Sequence, residues 1–413
     1  MLLGTCLSSA AQKFIPKTIQ FKGDPEYSDK ELMAAAQLKL GTVMTSAEMN
    51  DHAKLLMDSG IFENLTYKFD GQDLIFTLIP ATLLYPVRFE NLPIAPGPEL
   101  EAKLHDRFPL YHGKVPSEGT LLDGVRGALE EQLAAQGIKA AVTPIPFGAA
   151  GTRKVSAMNF SITSPPVRVG AIALQGVSPE MSARVKAVAD RATGSPFDTD
   201  NSAGNLEHAF ATFYSDEGYA GIQVHAARSG DPVISATAVD IPFAVTVTEG
   251  RVYKLGSIHL PPDSLFPQAE IDKITSSQSG AAKGVAVRSI WSMIAQRYHG
   301  KGYLDFALTP HPELDDSAGI VNYTVDIKPG PVYHLALLKF DNVSEELRKL
   351  LMRNWQMFPG DPFDESYVSA FIGKAQSSDP VLMRTLAGVK VSYDVQADPV
   401  SHDVNLIIRL ERR

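Results

Sequence analysis

The stretch TSAEMNDHAKLLMDSGIFENLTYKFDGQDLIFTL, residues 45–78, predicts a helix followed by a two-stranded hairpin. Thr45 and Glu48 have the spacing of a capping box, in which each side chain accepts a backbone N–H at the helix start. Gly60 follows the apolar face of this helix and suits the left-handed position that ends helices. Alternating apolar residues then flank Asp70 and Gly71, and an Asp-Gly pair in that setting strongly indicates a hairpin.

The residues before this stretch complete one folding unit. Residues 18–21 alternate in the manner of a strand, and Ser28 with Glu31 forms a second capping box that opens an earlier helix. The predicted order is therefore β-α-α-β-β. Two amphipathic helices must bury their apolar faces against one face of a small sheet, which is an α+β arrangement.

The glycine that ends the second helix recurs along the whole chain, at intervals between 77 and 86 residues. The recurring residues are Gly60, Gly137, Gly218, Gly302 and Gly388. A short first strand recurs at a similar period, and the pattern Gly-x-Pro-Phe-Asp occurs at 194–198 and again at 360–364. Because a fixed period marks a repeat architecture, we predict five copies of the unit.

Each copy is long enough to bury a small core of its own, so we expect five tandem modules in an elongated array. The predicted modules are residues 13–83, 84–165, 166–250, 251–330 and 331–413. The apolar N-terminal segment 1–12 has three readings: the end of a secretory signal, a lipid-modified Cys6, or a disordered tail. In module five, Pro380 is expected to interrupt the second helix.

Composition excludes several classes of protein. The formal net charge of -9 argues against a nucleic-acid-binding surface, which needs concentrated Lys and Arg. No apolar run approaches the roughly 18 residues of a membrane-spanning helix. The single cysteine excludes an internal disulfide and a multi-cysteine metal site. For the modest basic patch at residues 348–353 we favour a solvated helix face, with peripheral contact to lipid headgroups as the alternative.

Catalytic motifs are missing from the sequence, so we predict no enzyme activity, no cofactor and no metal. The residues Gly300-Lys301-Gly302 follow a helix instead of opening one, which predicts a helix-ending turn and not a phosphate loop. A second set of residues could gather as metal ligands, but we favour a solvated acidic loop. This set is His299, His311, Glu313, Asp315 and Asp316. Trp291 and Trp355 are read as packing residues.

The β-α-α-β-β order, the Gly-x-Pro-Phe start of the second helix and the Gly-Tyr pairs at 218–219 and 302–303 resemble the POTRA domain of the Omp85 family. The resemblance covers nearly the whole chain. It implies a periplasmic, outer-membrane-associated protein without catalysis that binds unfolded outer-membrane proteins or envelope lipoproteins. The family's β-barrel does not follow module five in this sequence. We therefore expect either a stand-alone POTRA protein or a barrel encoded as a separate chain.

Small sheets leave edges with unpaired backbone groups that can accept a strand from another chain. The resemblance places the strand after the helix-ending glycine at such an edge. The candidate binding residues are Leu65, Tyr67, Phe69, Ile222, Val224, Leu304 and Phe306. The competing reading is that loops or charges close these edges. The alternative function is a structural envelope scaffold or spacer with one fixed protein partner.

Overall fold

The computed structural model describes residues 13–23, 26–94, 97–148, 154–278, 280–377, 380–386 and 389–412. The predictions for segment 1–12, including Cys6, and for Gly388 lie outside the described residues. No helix among the described residues is both long enough and apolar enough to cross a membrane.

The first module follows the predicted order and adds one short strand pair. Its elements are β1 (Lys13–Phe14), β2 (Thr18–Lys22), α1 (Asp29–Ala35), β3 (Met44–Thr45), α2 (Ser46–Asp58), β4 (Phe62–Phe69) and β5 (Asp73–Pro80). Both predicted capping boxes are confirmed, at Ser28 and at Thr45. Gly60 has φ +80°, the left-handed value expected where α2 ends.

The second and third modules repeat this order. The second consists of β6 (Tyr85–Phe89), α3 (Pro98–Arg107), β7 (Lys114–Val115), α4 (Thr120–Ala135), β8 (Val142–Gly148) and β9 (Val155–Ile162). The third consists of β10 (Val167–Gln175), α5 (Pro179–Ala192), α6 (Ser202–Asp216), β11 (Gln223–Arg228), β12 (Val233–Ile234) and β13 (Val239–Thr248). Pro179 occupies the first turn of α5, where its missing N–H costs no hydrogen bond.

The fourth and fifth modules differ from the prediction in one detail. The fourth consists of β14 (Lys254–His259), α7 (Gln268–Ser276), α8 (Gly284–His299), β15 (Ala307–Asp315) and β16 (Ile320–Lys328). The fifth consists of β17 (His334–Asp341), α9 (Glu345–Asn354), α10 (Glu365–Ser377), α11 (Pro380–Thr385), β18 (Val389–Ala397) and β19 (Asp403–Arg412). α10 ends at Ser377 and α11 begins at Pro380, and the two residues between them lie outside the described part of the chain, so the helix break stays a prediction. The strand expected to contain Leu304 and Phe306 begins only at Ala307.

One strand order recurs in every module. The last strand lies in the centre, parallel to the first strand and antiparallel to the strand before it in modules one, two, four and five. The orders are β2-β5-β4, β6-β9-β8, β10-β13-β11, β14-β16-β15 and β17-β19-β18. The α+β fold with tandem β-α-α-β-β modules is therefore confirmed. The residue boundaries between modules stay a prediction.

By internal contacts the chain separates into two compact units. The first contains the described residues up to Ala209 together with Val224–Val247, and the second contains Phe210–Gln223 and Thr248–Arg413. In the second unit, module four has a core around Ile258, Ile290 and Val321, and module five has a core around Trp355 and Phe363. Trp291 packs against the former core and Trp355 lies within the latter, so the packing role predicted for both is confirmed.

Buried apolar side chains also form the cores of the first unit. They include Leu32, Leu56 and Phe76 in module one, Val125, Leu129 and Phe160 in module two, and Val185, Ile241 and Phe243 in module three. Burial of one such side chain contributes about 1.5–3 kcal/mol. The chain therefore has several cores of modest size instead of a single large one, and a repeat of about eighty residues is long enough to form each of them.

The capping box of α1 predicts a dependence of local stability on pH. Hydrogen bonds from Ser28 lower the pKa of Glu31 to about 2, from a usual value of 4.5. A lowered folded-state pKa gives stability that is complete above pH 4.5 and disappears as pH falls towards 2. Above pH 4.5 we expect Glu31→Gln to reduce hydrogen-exchange protection of the α1 amides about fivefold, equivalent to a loss of about 1 kcal/mol in local stability.

The measurement is hydrogen exchange with mass spectrometry on the full chain with a chelator present. Glu345→Gln, in the first turn of α9, is the control because its helix is capped by Ser344 alone. The wild-type and Glu31→Gln proteins should converge near pH 2. If the ratio of wild-type to Glu31→Gln protection stayed constant across the whole pH range, the lowered pKa of Glu31 would be contradicted.

Candidate functional site

The edge strand next to the central strand is the candidate site in each module. We call β4, β8, β11, β15 and β18 the outer strands. Successive N–H groups of a strand point to opposite sides, so one ladder bond shows which amides face outward. Asp70 N donates to Asp73 O at 3.1 Å and Asp398 N donates to Asp403 O at 2.9 Å, which sets the direction in β4 and β18.

Prolines close two of the outer strands. In β8, Val142 N donates to Glu130 Oε1 at 2.9 Å, so its amide points away from β9. The next outward positions are Pro144 and Pro146, which have no N–H. These two prolines and the Glu130 carboxylate leave β8 little to offer an added strand.

The outer strand of module four is closed in the same way. Gly319 N donates to Asp315 O at 2.8 Å across the hairpin, which places the amides of odd-numbered residues in β15 towards β16. Pro310 and Pro312 therefore occupy two consecutive outward positions. An added strand would lose both hydrogen bonds there, so β15 is a poor acceptor.

The outer strand of module three is closed by a side chain. Ser229 N donates to Pro242 O at 2.9 Å, so the alternate amides, including those of Val224 and Ala226, point outward. Ala226 N donates to Glu207 Oε1 at 2.9 Å. The carboxylate occupies the middle of this short edge.

The outer strand of module one is partly open. Leu65 N donates to the neighbouring Asn64 Oδ1 at 2.8 Å. The outward amides of Tyr67 and Phe69 donate to no side chain among the described residues, and neither position is a proline. Two consecutive outward donors remain for an added strand.

The outer strand of module five is open along its length. Nine residues of β18 pair with β19, from Val389 to Ala397. The outward amides are those of Val391, Tyr393 and Val395, and within the described part of the chain no side chain accepts from them. This strand is not among the candidates predicted from the sequence. The signal was present, because residues 389–395 alternate and contain no proline, whereas β8 and β15 each carry Pro-x-Pro.

The side chains predicted for β4 face the helices and not a partner. Leu65, Tyr67 and Phe69 are half-buried. Tyr67 Oη donates to Asn50 Oδ1 at 2.6 Å, and the Phe69 ring packs edge-on against Phe14 with centroids 5.0 Å apart. The element that β4 can offer is therefore its backbone, while the alternate side chains face solvent.

Three predicted residues do not lie on strands. Ile222 precedes β11, and Leu304 and Phe306 precede β15. Phe306 N donates to Tyr303 O at 3.3 Å in a tight turn, and its ring stacks on Tyr298 with centroids 4.4 Å apart. Aromatic packing against α8 thus holds this segment in a turn, which overrides its alternating pattern. Val224 does lie on β11, beside the blocked amide of Ala226.

In modules two to five the opposite edge of the sheet is closed at its start by the loop that enters the second helix. In module two, β6 pairs with β7. In module one, Lys13 and Phe14 pair with β3 in a separate two-stranded sheet. Isolated bridges cover the later modules, at Arg168 with Pro196, Lys254 with Ala281, and His334 with Pro362. The Gly-x-Pro-Phe pattern therefore covers the first strand as well as preceding a helix.

The acidic residues considered as metal ligands in module four do not converge. His311 Nε2 lies 2.9 Å from Asp326 Oδ2, and Asp315 Oδ1 accepts from Ser317 Oγ at 2.6 Å. The stretch from His311 to Asp316 is exposed to solvent as expected, but His311, Glu313 and Asp315 lie on β15, so the prediction of a loop is wrong for them. Gly300 caps α8 and Gly302 has φ +88°, so residues 300–302 form the predicted helix-ending turn.

The chain resembles known proteins in sequence over part of its length. No protein-family model matches the chain. A 78-residue segment is 28% identical to outer membrane protein assembly factor BamA of Buchnera aphidicola, covering 19% of this chain and 13% of that protein. A 163-residue segment is 22% identical to a provisionally named outer membrane protein assembly factor of Treponema pallidum, covering 38% of this chain and 19% of that protein.

Solved structures of related domains were also found. POTRA domains 3–5 of BamA from Haemophilus influenzae are 15% identical, with a TM-score of 0.41, 60% of this chain covered and 96% of that chain. POTRA domains 1–3 of Omp85 from Anabaena are 17% identical, with a TM-score of 0.24, 60% of this chain covered and 95% of that chain. These values are low, so the fold is assigned from the strand order in each module.

Each sequence match spans less than a fifth of the curated relative. The predicted resemblance to Omp85-type assembly factors is confirmed by these two matches. The chain is thus similar over part of its length to outer-membrane assembly factors, and its tandem modules have the element order of the POTRA domain.

Proposed function

We propose that the chain binds extended polypeptides by β-strand addition, in the assembly or translocation of outer-membrane proteins. The observation that carries this proposal is the uninterrupted row of outward amides on β18, at Val391, Tyr393 and Val395. Backbone pairing recognises a strand with little regard to its sequence, which suits a receptor for varied clients. The shorter open edge of β4 is the second candidate.

The names of the two curated relatives support the process in which this binding takes place, because both are outer membrane protein assembly factors. On that basis we propose a periplasmic location near the outer membrane. The proposed partners are unfolded outer-membrane proteins or envelope lipoproteins. A binding role without catalysis accords with a site that consists of backbone amides rather than converging reactive side chains.

The closed edges limit the strands at which another chain can be added. Prolines in β8 and β15 and the Glu207 carboxylate at β11 leave few edges where a strand can be added. Closing edges in this way also prevents copies of the chain from pairing with one another. A scaffold with one fixed partner would use the same open strands, so the number of captured proteins separates the two functions.

Photo-crosslinking in cells tests the proposal, with the probe at exposed positions next to each edge. We expect adducts from Lys68 on β4 and Lys390 on β18, and at most background from the control position His311 on the proline-closed β15. Many outer-membrane precursors among the adducts would support a client receptor, and one dominant protein would support the scaffold. Equal crosslinking from all three positions would contradict strand addition.

A variant that copies the closure of β15 provides the decisive comparison. Val395→Pro removes an outward N–H that the ladder with β19 does not use, so the sheet should survive. We expect crosslinking from Lys390 to fall at least about tenfold, equivalent to one lost hydrogen bond of about 1.4 kcal/mol. Unchanged crosslinking in a folded Val395→Pro protein would rule out β18 as the acceptor strand.

A further inference from the structure

Three potential metal ligands converge in the first compact unit, away from the outer strands. Glu31 lies in α1 of module one, His105 lies in α3 of module two, and His112 follows α3. One ligand atom from each residue lies within 4.8 Å of the others. Glu31 Oε1 is 2.9 Å from His112 Nε2 and 3.7 Å from His105 Nε2.

The carboxylate of Glu31 is divided between two tasks. Its Oε2 accepts from Ser28 N at 2.7 Å and from Ser28 Oγ at 2.6 Å in the capping box of α1. This leaves Oε1 directed at the two histidines. The hydrogen bonds to Oε2 fix the orientation of the whole carboxylate. Oε1 is therefore positioned before any ion binds, which favours coordination.

His105 presents its other ring nitrogen in the form that a metal needs. Its Nδ1 is 3.0 Å from Tyr111 O. A carbonyl oxygen only accepts, so Nδ1 carries the proton and the neutral ring has a free lone pair on Nε2. Metal-binding histidines commonly have such a hydrogen bond from the remote nitrogen to a carbonyl. The His112 ring packs against the Tyr27 ring, with centroids 4.9 Å apart.

We propose that Glu31, His105 and His112 form a binding site for Zn²⁺ or a similar borderline divalent cation. Zinc bonds of about 2.0–2.1 Å in a tetrahedron place ligand atoms about 3.3 Å apart. The two distances of 2.9 and 3.7 Å lie on either side of that value. Two imidazoles and one carboxylate are a ligand set that zinc prefers, with the fourth position open to water.

The site would join two modules. Glu31 belongs to the helix layer of module one and both histidines belong to module two. The bound ion would replace the proton that His112 shares with Glu31 and link α1 to the end of α3. The ion pair of Lys114 Nζ with Glu26 Oε1, at 3.3 Å, lies at the same junction.

Calorimetric titration of the tag-free full chain with Zn²⁺ alone tests the proposal. We expect one ion per chain, and we expect His105→Ala, His112→Ala and Glu31→Gln each to weaken binding at least about 100-fold. Both histidines are partly exposed, so the variants should fold. His311→Ala is the control, because the His311–Asp326 pair lacks a third ligand and its loss should leave binding unchanged.

Two further measurements identify the site independently of affinity. Co²⁺ bound to the wild-type chain should show the visible bands of a tetrahedral complex, and these should be absent from His105→Ala. Zn²⁺ should slow hydrogen exchange in α1 and α3 of the wild-type chain only. The proposal is overturned by an absence of saturable binding, by equal binding in the three variants, or by loss of binding in His311→Ala. Any of these results would leave an ion-pair cluster without a metal.

Discussion

Replacing Phe363 with alanine should destabilise module five by about 3–5 kcal/mol. Its side chain is fully buried in the core that contains Trp355, Leu351 and Leu406. The backbone around it also holds the edge of β17, because Phe363 N donates to Tyr333 O at 2.9 Å. Truncation would leave a cavity that surrounding elements cannot fill without breaking that bridge.

Urea unfolding followed by fluorescence measures this effect in one module. The chain has two tryptophans, so Trp291→Phe leaves Trp355 as the single reporter within the core of module five. Phe358→Ala is the matched control because Phe358 lies in the same loop with 53% of its surface exposed. We expect the control to cost less than about 1 kcal/mol. Equal losses for the two variants would contradict the role assigned to the Gly-x-Pro-Phe pattern.

Replacing Gly302 with alanine should destabilise the junction between modules four and five by about 1–3 kcal/mol. Gly302 has φ +88°, which non-glycine residues rarely adopt. A Cβ at this position would lie 2.7 Å from the Tyr333 carbonyl oxygen. Tyr333 N also donates to Gly302 O at 2.8 Å, so the two chain segments cannot separate without losing this bond.

The same fluorescence assay applies to Gly302→Ala. Gly373→Ala is the control, because this glycine lies within α10 and an added Cβ would have no neighbour within 4 Å. Alanine is the better helix former, so the control should be stabilised by up to about 1 kcal/mol. The two glycine substitutions should therefore shift the midpoint in opposite directions. Destabilisation by both variants would show that the strain at Gly302 is not the cause.

The recurrence of the helix-ending glycine also has a structural reason. Tyr253 N donates to Gly218 O at 2.9 Å, just as Tyr333 N donates to Gly302 O. A Cβ at Gly60 would overlap the carbonyl oxygen of Glu118 in module two. Each of these glycines therefore ends a helix and also permits close approach by the following module. The Gly-Tyr pairs mark junctions as well as helix ends.

Open and closed edges could have been predicted in part. Pro144 with Pro146, and Pro310 with Pro312, are visible as Pro-x-Pro pairs within alternating stretches. Their effect depends on the direction of the amide, which follows from the hairpin register. The hydrogen bond from Ala226 N to the Glu207 carboxylate could not have been predicted, because only the folded chain brings these two residues together.

Features that depend on neighbours within a few residues could be read directly from the chain: the capping boxes at Ser28 and Thr45, the Asp-Gly hairpin and the glycine period. Hydrogen bonds and side-chain periodicity within one element encode them, so they persist in any surroundings. The meeting of Glu31 with His105 and His112 required the folded chain, because these residues lie in separate elements some 70 or more positions apart and carry no local signal of their contact. The turn at Leu304 and Phe306 required it as well, since the Phe306 ring packs on Tyr298 of α8 against the alternating pattern of its own segment. In β18 the lack of proline is visible in the sequence, while the pairing with β19 decides which amides point outward.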